Sequence, residues 1–209
     1  ARFCVCPIRG FPRPLELCLR MKSEPCRTRR SSFLGLRGPC CKFARTLAPF
    51  ADGGLGLGFT LKRVLDVIGS PATVDVAELM SRVIEWNRTY LVEHNGPLLK
   101  DPRTNVILAD LFDCIGDGEL YDAILIDIDD TPDALITEDN AKLYTPSFLA
   151  LLRESLNPGG CLAYWMAKPS PKLEMVLKKA GFALTEHHAK PHEQSEETWH
   201  RIYVARLSS

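Results

Sequence analysis

Residues 121 to 129 read YDAILIDID, a run apolar enough to be buried on both faces. Such a strand is stable where it pairs with parallel neighbours and is covered by helices on each side. The rest of the chain supplies those neighbours. ATVDVAEL (72–79) and NVILAD (105–110) read as strands before it, and CLAYWMA (161–167) as one after it. Between them lie segments of helical period. Leu61, Val64, Leu65 and Ile68 share one face of a helix closed by Gly69, and Leu79, Val83, Trp86 and Tyr90 fall on one side of the next. Thr145 is placed to cap a helix with Pro146 at its first position and Phe148, Leu149, Leu152 and Leu156 on its apolar side, before NPGG ends it. Leu173, Val176, Leu177 and Ala180 line a further helix, and FALTEHH and RIYVARL then pair as an antiparallel hairpin at the sheet edge. Strand and helix alternate, so the predicted fold is α/β: a doubly wound, mostly parallel, Rossmann-like sheet with that hairpin at its C-terminal end. Ligands of such a sheet bind outside the carboxyl ends of its strands.

The residues at those ends carry the chemistry. Gly54, Gly56 and Gly58 form G-x-G-x-G where a loop enters a helix, leaving bare backbone and unpaired N–H groups for a ligand, or simply a tight turn. Glu78 ends the next strand, at the spacing of an acid that grips ribose hydroxyls; the alternative is a carboxylate favouring the start of the following helix. Asp110 ends the strand after that and is a candidate acceptor for an adenine amino group, with a turn or helix cap as its ordinary use. The fourth strand runs into DIDDTPD, bringing Asp127, Asp129, Asp130 and Asp133 to the rim. Crowded carboxylates there can hold a cationic amine and accept its proton; a solvated acidic loop or an oxygen-ligand metal site are the alternatives. Neither an EF-hand spacing nor a phosphate-binding lysine after the glycines is present, and the nucleophile elbow G-x-S-x-G is missing.

Charge and cysteine divide the chain near residue 51. Residues 1–50 hold eleven Lys/Arg against two Glu, which leaves the remainder acidic, unlike a nucleic-acid groove and suited to a small cation. Six of eight cysteines also precede the glycines, without C-x-x-C spacing, and reduced thiols are expected. The Pro, Arg, Cys and Ser content of residues 1–50 predicts a poorly structured basic segment, a targeting peptide or a stretch outside the native frame; residues 51–209 are the expected domain. No apolar run reaches the length of a membrane span.

The ordered set GGLGLGFTL, VDVAELM, DPRTNVILAD, YDAILIDIDDTPD, LYTPSFLALLRESLNPGGCLA and KAGF resembles the spermidine synthase family, the polyamine aminopropyltransferases, within the class I S-adenosylmethionine-dependent methyltransferase superfamily. The resemblance runs from about Gly53 to Leu207. It implies a spermidine synthase-like nucleoside-binding catalytic domain with decarboxylated S-adenosylmethionine over Gly54, Gly56 and Gly58, its ribose on Glu78 and its adenine near Asp110. Asp127 matches the catalytic first aspartate of the family's D-S-S-D-P motif and Asp130 its second, while Asp129 and Thr131 depart from it. The implied reaction is aminopropyl transfer to a diamine such as putrescine without a metal. The implied protein is a cytoplasmic enzyme, alone or as a homodimer, with neither nucleic acid nor membrane as partner. An S-adenosylmethionine-dependent methyltransferase and a non-catalytic or truncated nucleoside-binding relative are the alternatives. Pro49 and Asp52, in ARTLAPFAD, interrupt the strand expected ahead of the glycines.

Overall fold

The structure, a computed structural model, describes residues 45–47, 54–69, 72–115, 118–127, 138–189 and 200–207. Seven strands form one sheet in the order β3-β2-β1-β4-β5-β7-β6: β1 (Arg45–Leu47), β2 (Thr73–Glu78), β3 (Thr104–Leu108), β4 (Tyr121–Asp127), β5 (Leu156–Met166), β6 (Phe182–Ala189) and β7 (His200–Leu207). The first five strands are parallel to one another, and β7 runs antiparallel between β5 and β6. Strand order reverses at β1, so the carboxyl edge opens a crevice between β1 and β4. The strand ahead of the glycines spans Arg45–Leu47; Pro49 and Asp52, expected to interrupt it, lie outside the described residues. It lies ahead of residue 51, where the sequence reading began the domain.

Helices cover both faces. On one, α1 (Phe59–Val67), α2 (Ser81–Thr89) and α3 (Val92–Leu99) follow the glycines and β2. Leu61, Val64, Leu65, Val83 and Ile84 pack there on Val74, Val76, Ala123, Leu125 and Ala163. On the other, α4 (Leu111–Ile115), α5 (Pro146–Glu154) and α6 (Pro171–Lys179) bury Leu111, Phe148, Leu149, Leu152, Leu173 and Leu177 against Ile124, Ile126, Leu162 and Tyr164. The alternation along β4 is thus Ala123 and Leu125 to one core, Ile124 and Ile126 to the other, which is why YDAILIDID carries so few polar residues.

Three sequence expectations change. Trp86 and Tyr90 do not face the core: they are 46% and 81% exposed, and Leu79 is exposed too. The buried face of α2 is instead Val83, Ile84 and Asn87, because the amide of Asn87 is drawn inward to the glycine loop. The NPGG stretch ends no helix; α5 stops at Glu154 and β5 already begins at Leu156. Gly160 allows this. A Cβ on it would lie 2.8 Å from Asn157 O and 3.1 Å from Tyr121 O, where β5 shifts register against β4. Cys161 is disulfide-bonded, contrary to the expectation of reduced thiols, whereas Cys114 keeps a buried thiol. Among the described residues no helix is long and apolar enough to cross a membrane.

The predicted start of α5 is confirmed in detail: Thr145 Oγ1 accepts the Phe148 N–H at 3.3 Å, with Pro146 at the first helical position. Thr145→Ala removes that acceptor, and urea unfolding is expected to show a loss of about 1 kcal/mol.

Candidate functional site

The site grows from the loop that precedes α1. Gly56 and Gly58 have φ of 45° and 76°, left-handed values that side chains other than glycine resist, and Gly58 N–H closes a turn onto Leu55 O at 2.7 Å. Gly58 is also the N-cap of α1, with no side-chain cap, so the first N–H groups of that helix are left for water or a ligand. A Cβ at Gly58 would meet the Asn95 side chain at 2.7 Å. At its other end α1 is held by Arg103, whose guanidinium donates to Leu65 O at 3.1 Å and Ile68 O at 2.6 Å. Arg103 also forms a paired bridge to Asp101, and its hydrogen bonds hold that carboxyl below the ordinary range. The DPR of DPRTNVILAD is therefore a clamp on the C-terminus of the glycine helix.

Glu78 touches the loop directly. Its side chain is 0% exposed; Oε2 accepts the Leu55 N–H at 3.0 Å and Oε1 the Met80 N–H at 2.8 Å. Burial raises its carboxyl above the ordinary 4.5, and the N–H groups of Met80, Leu55, Gly56 and Leu79 offset part of that rise. The carboxyl is thus held by backbone N–H groups from both the glycine loop and the turn after β2.

Asp127 shares both the edge and the face of Glu78. Leu47 of β1 is level with Asp75 on one side and Ile124 on the other, so Glu78 and Asp127 each stand three residues further along. They flank the line of β1 two strand spacings apart, about 10 Å. Val76 and Leu125, two residues before them, face the core of α1, and Glu78 and Asp127 therefore project to that same side. Asp127 is half-buried; across β5 its register partner is Trp165, whose ring lies 5.2 Å from that of His200. Asp129, Asp130, Thr131 and Asp133 lie outside the described residues.

Asp110 sits one strand out and is engaged from two directions. Its Oδ1 accepts Phe112 N–H at 3.1 Å at the start of α4, and its Oδ2 lies 2.7 Å from Lys142 Nζ, which also stands 4.5 Å above the Phe112 ring. Lys142 belongs to a 3₁₀ helix (Glu138–Tyr144) downstream of β4. An adenine amino group would share this carboxylate with a lysine. Sequence reading missed three residues here: Lys142, Asn87 and Asn95. Asn87 Nδ2 donates to Gly56 O at 2.8 Å, and Asn95 Nδ2 to Leu57 O at 2.9 Å. The available signal for Asn87 was a polar residue four positions after Val83, on the helical face that turns inward.

Strand order 3-2-1-4-5-7-6, a glycine loop leading into α1 and an acid ending β2 define a class I methyltransferase-type fold. The sequence model of the spermine/spermidine synthase domain matches residues 52–182, and the chain belongs to that family. It is 34% identical over 127 residues to a polyamine aminopropyltransferase of Saccharolobus solfataricus, covering 59% of this chain and 40% of that protein. It is 30% identical over 145 residues to one of Mycobacterium tuberculosis, covering 65% and 27% respectively. The chain thus spans well under half the length of these relatives. Among solved structures it is similar to a spermidine synthase in complex with the transition-state analogue AdoDATO, with a TM-score of 0.58 and 20% identity, over 78% of this chain and 55% of that one. It is equally similar to human methyltransferase-like protein 13 in complex with SAH, with a TM-score of 0.58 and 20% identity, over 79% and 73%. At that identity the two structures speak to the fold alone.

Two outcomes follow from the geometry. A folded-state pKa above the unfolded one means that Glu78 adds stability that is fully present below pH 4.5 and is lost as pH rises through the raised value. Urea unfolding between about pH 4 and about pH 7 is expected to show that decline in the wild type, with the component absent from Glu78→Gln. Gly58→Ala puts a methyl group at positive φ and against Asn95, and is expected to cost about 1–2 kcal/mol or more in the same measurement.

Proposed function

We propose that the chain carries out aminopropyl transfer from decarboxylated S-adenosylmethionine to a diamine such as putrescine, releasing methylthioadenosine. The observation that carries this reading is the juxtaposition of Glu78, in contact with the glycine loop, and Asp127, on the same face and edge of the sheet, in a chain of the spermine/spermidine synthase family.

In this reading the loop of Gly54, Gly56 and Gly58 receives the adenosyl sulfonium compound, Glu78 accepts its ribose hydroxyls, and Asp110 accepts the adenine amino group. The amine binds at Asp127 and Asp130. A diamine has amine pKa values near 10.4, so it arrives protonated and its nitrogen lone pair is unavailable. Carboxylates attract that cation, line up the nitrogen with the propyl carbon bonded to sulfur, and take up the proton. The nitrogen–carbon bond then forms as the carbon–sulfur bond breaks, the bonding pair leaving on sulfur. An acidic body outside the first fifty residues suits a dication as substrate.

The test supplies purified protein with putrescine and decarboxylated S-adenosylmethionine, or with amine acceptors and S-adenosylmethionine, and identifies the nucleoside released. Methylthioadenosine is the expected product; S-adenosylhomocysteine would show methyl transfer instead, and neither would leave a nucleoside-binding relative. Asp127→Asn is expected to lower methylthioadenosine release by about a hundredfold or more while nucleoside binding is retained. Undiminished turnover in that variant removes Asp127 from the mechanism.

A further inference from the structure

We infer that Asn87 and Asn95 are positioning residues of the nucleoside site, aiming the backbone of the glycine loop at its ligand; the inference rests on the adenosyl-sulfonium reading above. Both amides are buried, 1% and 4% exposed, one on α2 and the other on α3. A primary amide is a costly choice for a helix face turned to the interior unless its hydrogen bonds are made. These are made, and each amide gives one of them to the glycine loop.

Asn95 Nδ2 donates to Asn87 Oδ1 as well as to Leu57 O. With its oxygen so occupied, Asn87 must turn its Nδ2 toward the acceptors Gly56 O and Val83 O, at 2.8 and 2.9 Å. The two side chains therefore fix each other's orientation, and together they hold two successive carbonyls of the loop. A trans peptide points its N–H opposite its C=O. Anchoring Leu57 O to Asn95 turns the Gly58 N–H away, onto Leu55 O. Anchoring Gly56 O to Asn87 turns the Leu57 N–H away from α2 and α3, and this group finds no acceptor among the described residues. Leu57 is 43% exposed, so the loop meets solvent at this residue. On the opposite side of the loop, Glu78 takes the Leu55 N–H. Carbonyls drawn to the asparagines, the N–H groups of Leu55 and Gly56 drawn to Glu78 and that of Gly58 turned onto Leu55 O leave the Leu57 N–H as the donor the loop presents. Gly56 and Gly58 supply the positive φ that this arrangement needs, and the asparagines hold it in place.

The experiment is calorimetric titration of the full chain with methylthioadenosine, for the wild type and for Asn87→Asp, Asn87→Ala and Asn95→Asp, each well below its own melting temperature. The aspartates keep the shape and replace a donor by an acceptor facing a carbonyl. The expected result is a Kd at least ten-fold weaker in every variant. A variant that melts earlier yet binds methylthioadenosine as the wild type does would overturn the inference, since a merely structural pair would behave that way. Amide hydrogen exchange on the wild type gives a check that no variant needs to survive: saturation with methylthioadenosine should slow exchange at Leu57, and unchanged exchange there would overturn the inference. A wild-type chain that binds no adenosyl nucleoside defeats the functional reading itself, whereas wild-type binding with unaffected variants defeats only the role of the asparagines.

Discussion

A carboxylate sealed from water at the tip of a strand has to find donors, and Glu78 finds them in the backbone that the glycines leave bare. The Leu55 N–H on one oxygen and the Met80 N–H on the other tie the loop before α1 to the end of β2. Burying that charge is unfavourable, as its raised pKa records, and backbone N–H groups return part of the cost. The placing of the loop follows from this tie. It sets the height of the loop above the sheet, and it sets the start of α1. It also decides which peptide groups are left to meet a ligand. The two asparagines complete the arrangement from the helix side, and Arg103 completes it from the far end of α1.

How the crevice is shared among its walls depends on register more than on contact. Glu78 and Asp127 never meet, but because β2 and β4 outrun β1 by the same three residues they stand at one level on one face. That arrangement keeps the two acids, to which the proposed function gives the nucleoside and the amine, at a separation set by the sheet. Lys142 adds a cation to the outer wall, where it neutralises Asp110 and leans on Phe112, itself stacked 4.2 Å from Phe148. The outer wall is thus tethered to α5, and the inner one to α1.

Much of this was legible in the sequence because burial on both faces leaves an unmistakable trace. The runs of β2 and β4 and the inward residues of α1 and α5 declare themselves by apolar content and period. What escaped was decided by polar side chains with distant partners. Hydrophobic period places Trp86 and Tyr90 inward; the structure turns α2 so that Asn87 goes in, since its amide has carbonyls to satisfy thirty-one residues away in the chain. Pro158, Gly159 and Gly160 read as punctuation, yet they lie within β5, because a strand that meets Tyr121 O at close range has room for glycine and nothing larger. For the site, Gly56, Gly58 and Glu78 could be found from spacing, and Asp127 from its place at a strand end. Asn87, Asn95 and Lys142 could not, because each acts on a residue remote in sequence and none belongs to a spacing rule.

The shortness of β1 has a mechanical meaning. The sheet is in effect two leaves, β2 with β3 and β4 with β5, β7 and β6, hinged on three residues: Arg45–Leu47 against Thr73–Asp75, and Thr46–Leu47 against Ala123–Ile124. Among the described residues these are the shortest ladders of the sheet. Any molecule lodged in the crevice, with one end against Glu78 and the other against Asp127, grips both leaves at once. It would serve as a rivet across the line where the sheet itself has least to hold it shut.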